Sequence, residues 1–275
     1  MHLNLLFAVD DKFAEHMLVT LFSIFRNSPT INTYDVYVLQ DQPLQQAAHL
    51  KSTLVRWHMT YHPVLVDDAV FNDAPVSDRY PKSIYYRLLA SELLPQDLDK
   101  ILYLDADILV INDLTPLYQV DLTGQLYAAA MHTDFLNLTG TLNQFRLDTT
   151  TPHYFNSGVL LINLARARQQ VHPQEIFDVI RAHKNVLILP DQDVLNKLYA
   201  KDTQPVADVL YNYDVRKDLV YQTTSQGKWS LDWVIAHTVC LHFCGTKKPW
   251  QATTTDKYAL LYKHYQHQLA QQLAD

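Results

Sequence analysis

The chain has 275 residues, 48% of them hydrophobic and 11% aromatic, enough for one sizeable α/β core with a small appendage but hardly for two full domains. A formal net charge of −7 argues against a nucleic-acid surface, which needs a clustered basic footprint, while a nucleotide remains acceptable as a small ligand. No apolar run approaches the ~20 residues that span a bilayer, the stretch Met1–Asp11 lacks the basic region of a signal peptide, and the two cysteines fit a reducing compartment.

Elements alternate from the start. Leu3–Val9 reads as a strand, Phe13–Arg26 as a helix, Tyr34–Leu39 as a strand and Leu44–Arg56 as a helix, a βαβα opening. Phe13, Met17, Leu21 and Ile24 recur at helical spacing, predicting a face that packs on a sheet, and Asn27-Ser28-Pro29 stops the helix. A third strand is expected over Met59–Val66, a helix from Ser83 to Leu94 closed by Pro95, and a strand over Lys100–Leu104. Tyr127–Met131 and Phe155–Asn163 read as strands, Gln174–His183 and Gln192–Tyr199 as helices, and Val234–His242 as a last strand. The pattern predicts a mixed, mostly parallel central sheet flanked by helices, with one main domain over 1–250 and a helical tail over 251–275. Between His132 and Tyr154 lies a threonine- and asparagine-rich stretch of the length that binding loops have. The sequon at Asn137 means little without a secretory signal.

Residues 101–107, Ile-Leu-Tyr-Leu-Asp-Ala-Asp, carry the strongest chemical signal: an apolar run delivers Asp105 and Asp107 to its C-terminal end with one small residue between them. Alternation along a strand would aim both carboxylates to one side, and two oxygen ligands this close suit Mg²⁺ or Mn²⁺ holding substrate phosphates. The five glycines form neither GxGxxG nor GxxxxGK, so phosphates must be held by a metal and side chains. A turn with solvated acids is the bland alternative. A phosphatase of the haloacid dehalogenase type is the other, but there the motif lies near the N-terminus with Thr or Val two places on, where this chain has Leu109. Cys240, His242 and Cys244 invite a zinc reading; alternate side chains on a rigid strand stand ~7 Å apart, too far for one tetrahedral ion, and both cysteines are expected as small core residues.

Six blocks in sequence carry a resemblance. They are Phe7-Ala8-Val9-Asp10-Asp11, Tyr85-Tyr86-Arg87-Leu88, Leu102-Tyr103-Leu104-Asp105-Ala106-Asp107, Phe155-Asn156-Ser157-Gly158 with the apolar run to Leu164, Asp191-Gln192-Asp193-Val194-Leu195-Asn196, and His242-Phe243-Cys244-Gly245-Thr246-Lys247-Lys248-Pro249-Trp250. In this order and spacing the chain resembles glycosyltransferase family 8, retaining, nucleotide-sugar-dependent enzymes of GT-A fold that include bacterial lipopolysaccharide galactosyl- and glucosyltransferases.

The resemblance implies a role for each block. His242 becomes the third metal ligand beside Asp105 and Asp107, a set that Mn²⁺ tolerates better than Mg²⁺. Ala8 and Asp10 receive the uracil and ribose of a UDP-hexose, with Lys12 where relatives often carry Asn; Ala106 lies against the donor. Gly245 lets the backbone approach the diphosphate, and Lys248 places a charge on the leaving phosphate. Arg87 meets the donor sugar and diphosphate, and Asn156, Asp191 and Gln192 surround the hexose, with a helix N-cap and first-turn acids the plainer use of 191–193. The implied enzyme moves glucose or galactose from UDP-glucose or UDP-galactose to a glycan or glycolipid, with His132–Tyr154 meeting the acceptor. Gln192 is a poor nucleophile, so front-face attack is expected, with Gln192 or Asn156 steadying the oxocarbenium-like state and Asp191 as the reserve nucleophile. A UDP-sugar-binding protein without turnover is the alternative. A cytoplasmic location is expected. The tail face of Tyr258, Leu261, Tyr262, Tyr265, Leu269 and Leu273 would pack on the domain, with peripheral contact at the inner membrane face or homo-oligomerisation as its other uses.

Overall fold

The structure is a computed structural model and describes residues 1–72, 74, 76, 81–131, 146–149 and 153–274. The sequon at Asn137 and most of the His132–Tyr154 stretch lie outside the described residues. Strands β1 (His2–Ala8), β2 (Thr33–Gln40) and β3 (Met59–Leu65) alternate with helices α1 (Asp11–Asn27) and α2 (Ala47–Val55). A 3₁₀ segment over Lys82–Leu89 runs into the short helix α3 (Ala90–Leu93), then come β4 (Lys100–Leu104), β5 (Ile108–Val110), α4 (Thr115–Tyr118) and β6 (Tyr127–Met131). The second half holds β7 (Phe155–Asn163), α5 (Leu164–Gln170), α6 (Pro173–His183), α7 (Pro190–Tyr199), β8 (Thr203–Val206) and α8 (Asp208–Tyr211). It ends with β9 (Tyr213–Asp214), α9 (Asp218–Thr224), α10 (Leu231–His237), β10 (Cys240–His242) and α11 (Lys257–Ala274).

Seven strands form the main sheet in the order β3-β2-β1-β4-β7-β6-β8. Only β7 runs against its neighbours β4 and β6; the other pairings in this sheet are parallel. Alternation along the strands divides the core in two. Leu3, Leu5, Phe7, Leu102 and Leu104 pack on one face with Met17, Leu21 and Ile24 of α1, while Leu6, Ile101 and Tyr103 pack on the other with Tyr85, Leu88 and Val194. The α1 face lies on the sheet as its spacing predicts, except that Phe13 at its start is 38% exposed. The expected mixed, mostly parallel sheet flanked by helices is therefore present.

Three local differences from the sequence reading have physical causes. The stretch read as one strand over Val234–His242 is a helix followed by a three-residue strand, because Ser230 caps the helix by accepting from the Trp233 N–H and Asp232 lies in its first turn. The helix expected at Ser83–Leu94 is mostly 3₁₀; Pro81 precedes it, and the Arg87 guanidinium takes the Ile84 carbonyl as an acceptor at 3.0 Å. The pair Asp105 and Asp107 is not on a strand at all: β4 ends at Leu104, and Asp105–Asp107 make the turn into β5.

That turn is held from behind by α1. Thr20 donates to the Ile108 carbonyl at 2.7 Å, Ser23 accepts from the Val110 N–H at 3.0 Å, and Asn27 donates to the Val110 carbonyl at 2.9 Å. A polar stripe at i, i+3 and i+7 thus takes the place of a neighbouring strand along the outer edge of β5, whose inner edge pairs with β10 in the small sheet β5-β10-β9. The tail helix α11 closes the same side: Tyr258, Tyr262 and Leu269 are buried, Leu261, Tyr265 and Leu273 pack on the core, and Asn27 donates to the Tyr265 hydroxyl at 2.8 Å. Among the described residues no helix is long and apolar enough to cross a membrane.

Candidate active site

In the order β2-β1-β4 the sheet reverses its direction of winding between β1 and β4, and the carboxyl ends of these strands open a crevice at that switch point. The turn after β4 is pinned there from both sides: the Asp105 N–H donates to the Gly158 carbonyl of β7 at 2.8 Å, and the Phe243 N–H donates to the Asp107 carbonyl at 3.0 Å. Antiparallel pairing of His242 with Ile108 brings the imidazole beside the two carboxylates. One ligand atom from each of Asp105, Asp107 and His242 lies within 4.8 Å of the others. His242 Nε2 stands 3.2 Å from Asp107 Oδ1 and 3.6 Å from Asp105 Oδ2.

The remaining atoms of these side chains are already occupied, which aims the free ones at a common point. Asp105 Oδ1 accepts from the Tyr103 hydroxyl at 2.7 Å and pairs with Arg87 at 2.9 Å, leaving Oδ2 toward His242. Asp107 Oδ2 is paired with the Lys248 ammonium, and His242 Nδ1 bonds Asn212 Oδ1 at 2.7 Å. Gly158 forms the floor: a Cβ built there would collide with His242 Cε1 and lie 2.6 Å from Asp105 Oδ2. The space a side chain would fill, with two carboxylates and one imidazole around it, fits a single divalent cation of the Mn²⁺ or Mg²⁺ kind. Cys240 is buried in the core, while Cys244 is half-buried rather than a core residue, and the metal-type cluster among the described residues contains neither.

Charge is sharply organised around this point. Burial opposes ionisation of Asp107, yet His242 and Lys248 outweigh it and hold the carboxyl well below the usual range. Burial likewise opposes an imidazolium at His242, and there Cys244 and Asp107 outweigh it, so the ring binds its second proton more firmly than a free histidine. Arg87, 6% exposed, stays charged against burial because Asp105 and Asp191 face it. Asp191 goes the other way: burial and the nearby Asp105 push its carboxyl up more than Arg87 holds it down.

On the α7 side Arg87 links three segments, pairing with Asp105, reaching Asp191 at 3.4 Å and donating to the Ser157 carbonyl at 3.0 Å. The Ser157 hydroxyl donates to Asp191 at 2.9 Å, and the Ser157 N–H to Gln192 Oε1 at 3.3 Å. Asp193, fully buried, accepts from the Ile188 and Leu189 N–H groups, the Tyr154 hydroxyl at 2.6 Å and both terminal nitrogens of Arg146. The expected N-cap is not among 191–193: Leu189 occupies that position without a side-chain cap bond, while Asp191 and Asp193 are the first-turn acids of α7, Asp193 accepts from the N–H groups just before it, and Asp191 and Gln192 turn to the strand bearing Asn156.

At the end of β1, Asp10 caps α1 by accepting from the Phe13 N–H at 3.1 Å, Ala8 is half-buried, and Lys12 stands exposed on the first turn. Ala106 is buried in the turn beneath the acids, its carbonyl accepting from Thr20 at 3.3 Å. Gly245 has φ +89°, a left-handed conformation that favours glycine, and Arg216 lies against it, 2.9 Å from where a Cβ would be. Arg216 is itself anchored to the buried Asp214 by two bonds of 2.9 and 2.7 Å.

Sequence reasoning missed Tyr103, Asn212 and the Asp214–Arg216 pair. Tyr103 was within reach, since it stands two places before Asp105 and shares its side. Asn212 sits between two tyrosines with no motif spacing and gave no signal.

A mostly parallel sheet with an acid–imidazole cluster able to hold a divalent ion at its switch point, ringed by Arg87 and Lys248, has the features of enzymes that handle phosphate-bearing substrates with such an ion. A family model described as glycosyl transferase family 8 matches residues 4–254, and the chain belongs to that family. It is 26% identical over 252 residues to lipopolysaccharide 1,2-glucosyltransferase of Escherichia coli, covering 90% of this chain and 73% of that protein. It is 25% identical over 270 residues to general stress protein A of Bacillus subtilis (strain 168), covering 96% and 92%. The fold matches the crystal structure of galactosyltransferase LgtC in complex with donor and acceptor sugar analogues, with a TM-score of 0.81, 25% identity and coverage of 97% and 96%.

Proposed function

We propose that the protein is a retaining hexosyltransferase that moves glucose or galactose from a UDP-sugar to a glycan or glycolipid, with Mn²⁺ as the preferred ion and Mg²⁺ as its substitute. The observation that carries this is the cradle of Asp105, Asp107 and His242 over Gly158 in a chain of this family. Similarity to a lipopolysaccharide glucosyltransferase and to a galactosyltransferase supports the two hexoses and a glycolipid acceptor. Residues 1–250 form the catalytic domain in this proposal and 251–275 its helical tail, working in the cytoplasm near the inner face of the membrane.

Asp105, Asp107 and His242 would hold the ion, which when bound supplies positive charge for a departing diphosphate. Lys248, already beside Asp107, adds a second cation on that side, and Gly245 lets the backbone approach. Ala8, Asp10 and Lys12 take the nucleoside end, with Ala106 against it; Arg87 spans diphosphate and hexose. One Asp191 oxygen is engaged by the Ser157 hydroxyl and by Arg87, so it is poorly placed as a nucleophile. Attack by the acceptor hydroxyl from the leaving-group face follows, its proton passing to the departing phosphate oxygen. Gln192 and Asn156 steady the positive charge that develops at the anomeric carbon.

A donor panel read by UDP release tests this. UDP-glucose or UDP-galactose, with Mn²⁺ and a lipopolysaccharide-type acceptor, should give turnover that EDTA abolishes. UDP bound without turnover of any donor would favour a binding protein.

A further inference from the structure

Asn212 lies at the junction of α8 and β9 with its side chain fully buried, and its amide bridges two of the residues already described. Its Oδ1 faces His242 Nδ1 at 2.7 Å, and its Nδ2 donates to Asn156 Oδ1 at 2.7 Å. Amide and imidazole orientations are ordinarily inferred from the network around them, and here the network starts from a group whose role is not in question. The backbone N–H of Gly158 donates to Asn156 Oδ1 at 2.8 Å. A backbone N–H is only ever a donor, so the Asn156 atom it meets must be the oxygen. The second contact to that oxygen must then come from a donor, which turns the Asn212 NH₂ toward Asn156 and the Asn212 oxygen toward His242. An oxygen facing Nδ1 at 2.7 Å requires a proton on Nδ1. The neutral ring therefore carries its lone pair on Nε2, the nitrogen beside Asp105 and Asp107.

We propose that Asn212 is a positioning residue: the relay Gly158 N–H, Asn156, Asn212, His242 locks the imidazole in the one tautomer that can ligate the cation and ties the metal cradle to the hexose-side amide of Asn156. The relay presupposes the cation site proposed above. Gly158 then serves the site twice, since its missing Cβ makes room for the ion and its N–H sets the proton position on the imidazole.

Two variants separate the ends of the relay. Asn212→Ala removes both bonds. Asn212→Asp keeps an acceptor for His242 Nδ1–H but sets an oxygen against Asn156 Oδ1. Mn²⁺ affinity is measured by electron paramagnetic resonance on the full chain without nucleotide, and donor selectivity is measured as the ratio of UDP to UDP-sugar Kd with Mn²⁺ present. Asn212→Ala should weaken Mn²⁺ binding by about 10- to 100-fold. Asn212→Asp should restore Mn²⁺ binding to within a few-fold of the wild type while still losing the affinity gained from the sugar. On the wild type loaded with Mg²⁺, two-bond ¹H–¹⁵N spectra of labelled histidine should show His242 with its proton on Nδ1, whatever the variants' stability. A proton on Nε2 in that spectrum, or wild-type Mn²⁺ affinity in a folded Asn212→Ala protein, overturns the relay and leaves the cation site standing. A wild type that binds no Mn²⁺ overturns the cation site and the relay with it.

Discussion

Asp107 and Asp191 are equally buried, each 7% exposed, and yet their carboxyls are driven in opposite directions. Asp107 faces two cationic partners, His242 and Lys248, which overcome burial and keep it ionised. Asp191 faces only Arg87, which it shares with Asp105, so burial wins. In one crevice the number of facing charges, rather than depth, decides which acid's carboxyl is held below its ordinary range and which is pushed above it.

The largest effect should come from breaking the first half of that contrast. Asp107→Ala removes a ligand and strands Lys248 and His242 without their shared partner, and turnover is expected to fall about 10³-fold with Mn²⁺ affinity lost in parallel. Gly158→Ala should weaken Mn²⁺ binding nearly as much, since its methyl group would occupy the cradle, with circular dichroism checking that the sheet is intact.

A second contrast appears on titration. In the cation-free protein the Asp107 carboxyl sits below its ordinary 3.8, so its stabilising contribution is present above that pH and is lost as pH falls toward the folded value. His242 sits above its ordinary 6.5, so its contribution is full below 6.5 and is lost as pH rises through the folded value. The Asp107–His242 pair should therefore stabilise the cation-free protein most between 3.8 and 6.5. A Mn²⁺ ion competes with the Nε2 proton, so cation affinity should rise with pH across neutrality, about tenfold per unit while the ring is still protonated, and then level off. Thermal melts at several pH values with EDTA or Mn²⁺ check both signs; cation binding that weakens with rising pH would remove His242 from the ligand set.

The smallest effect should come from the other acid. Asp191→Asn keeps the shape and a hydrogen-bond acceptor for Ser157, and front-face attack predicts turnover within about tenfold of the wild type. A loss on the order of 10⁴-fold, with a sugar trapped on the enzyme, would make Asp191 the nucleophile instead.

Much of this was legible in the chain, and what was not has identifiable causes. Lys100–Leu104, Tyr127–Met131 and Phe155–Asn163 appear with the boundaries their apolar runs suggest, because strands buried on both faces announce themselves as unbroken hydrophobic stretches. Leu231–His237 escaped because Val234-Ile235-Ala236 and Val239-Cys240-Leu241 merge into one strand-like run, hiding the capping serine at its start. Asp105, Asp107 and His242 were foreseeable as a group, although the carboxylates converge through a turn and not through strand alternation. Asn212 could not be foreseen: its value lies wholly in its bonds to residues 156 and 242, which no local spacing encodes.

The most direct test of the cation cradle is calorimetric titration of UDP into the wild-type protein with Mn²⁺ and again with EDTA. If Asp105, Asp107 and His242 hold an ion that bridges to a diphosphate, removing it should weaken UDP binding by at least about 100-fold, the scale of two or more charge-assisted bonds to phosphate oxygens disappearing together. Equal affinity in the two titrations would contradict it.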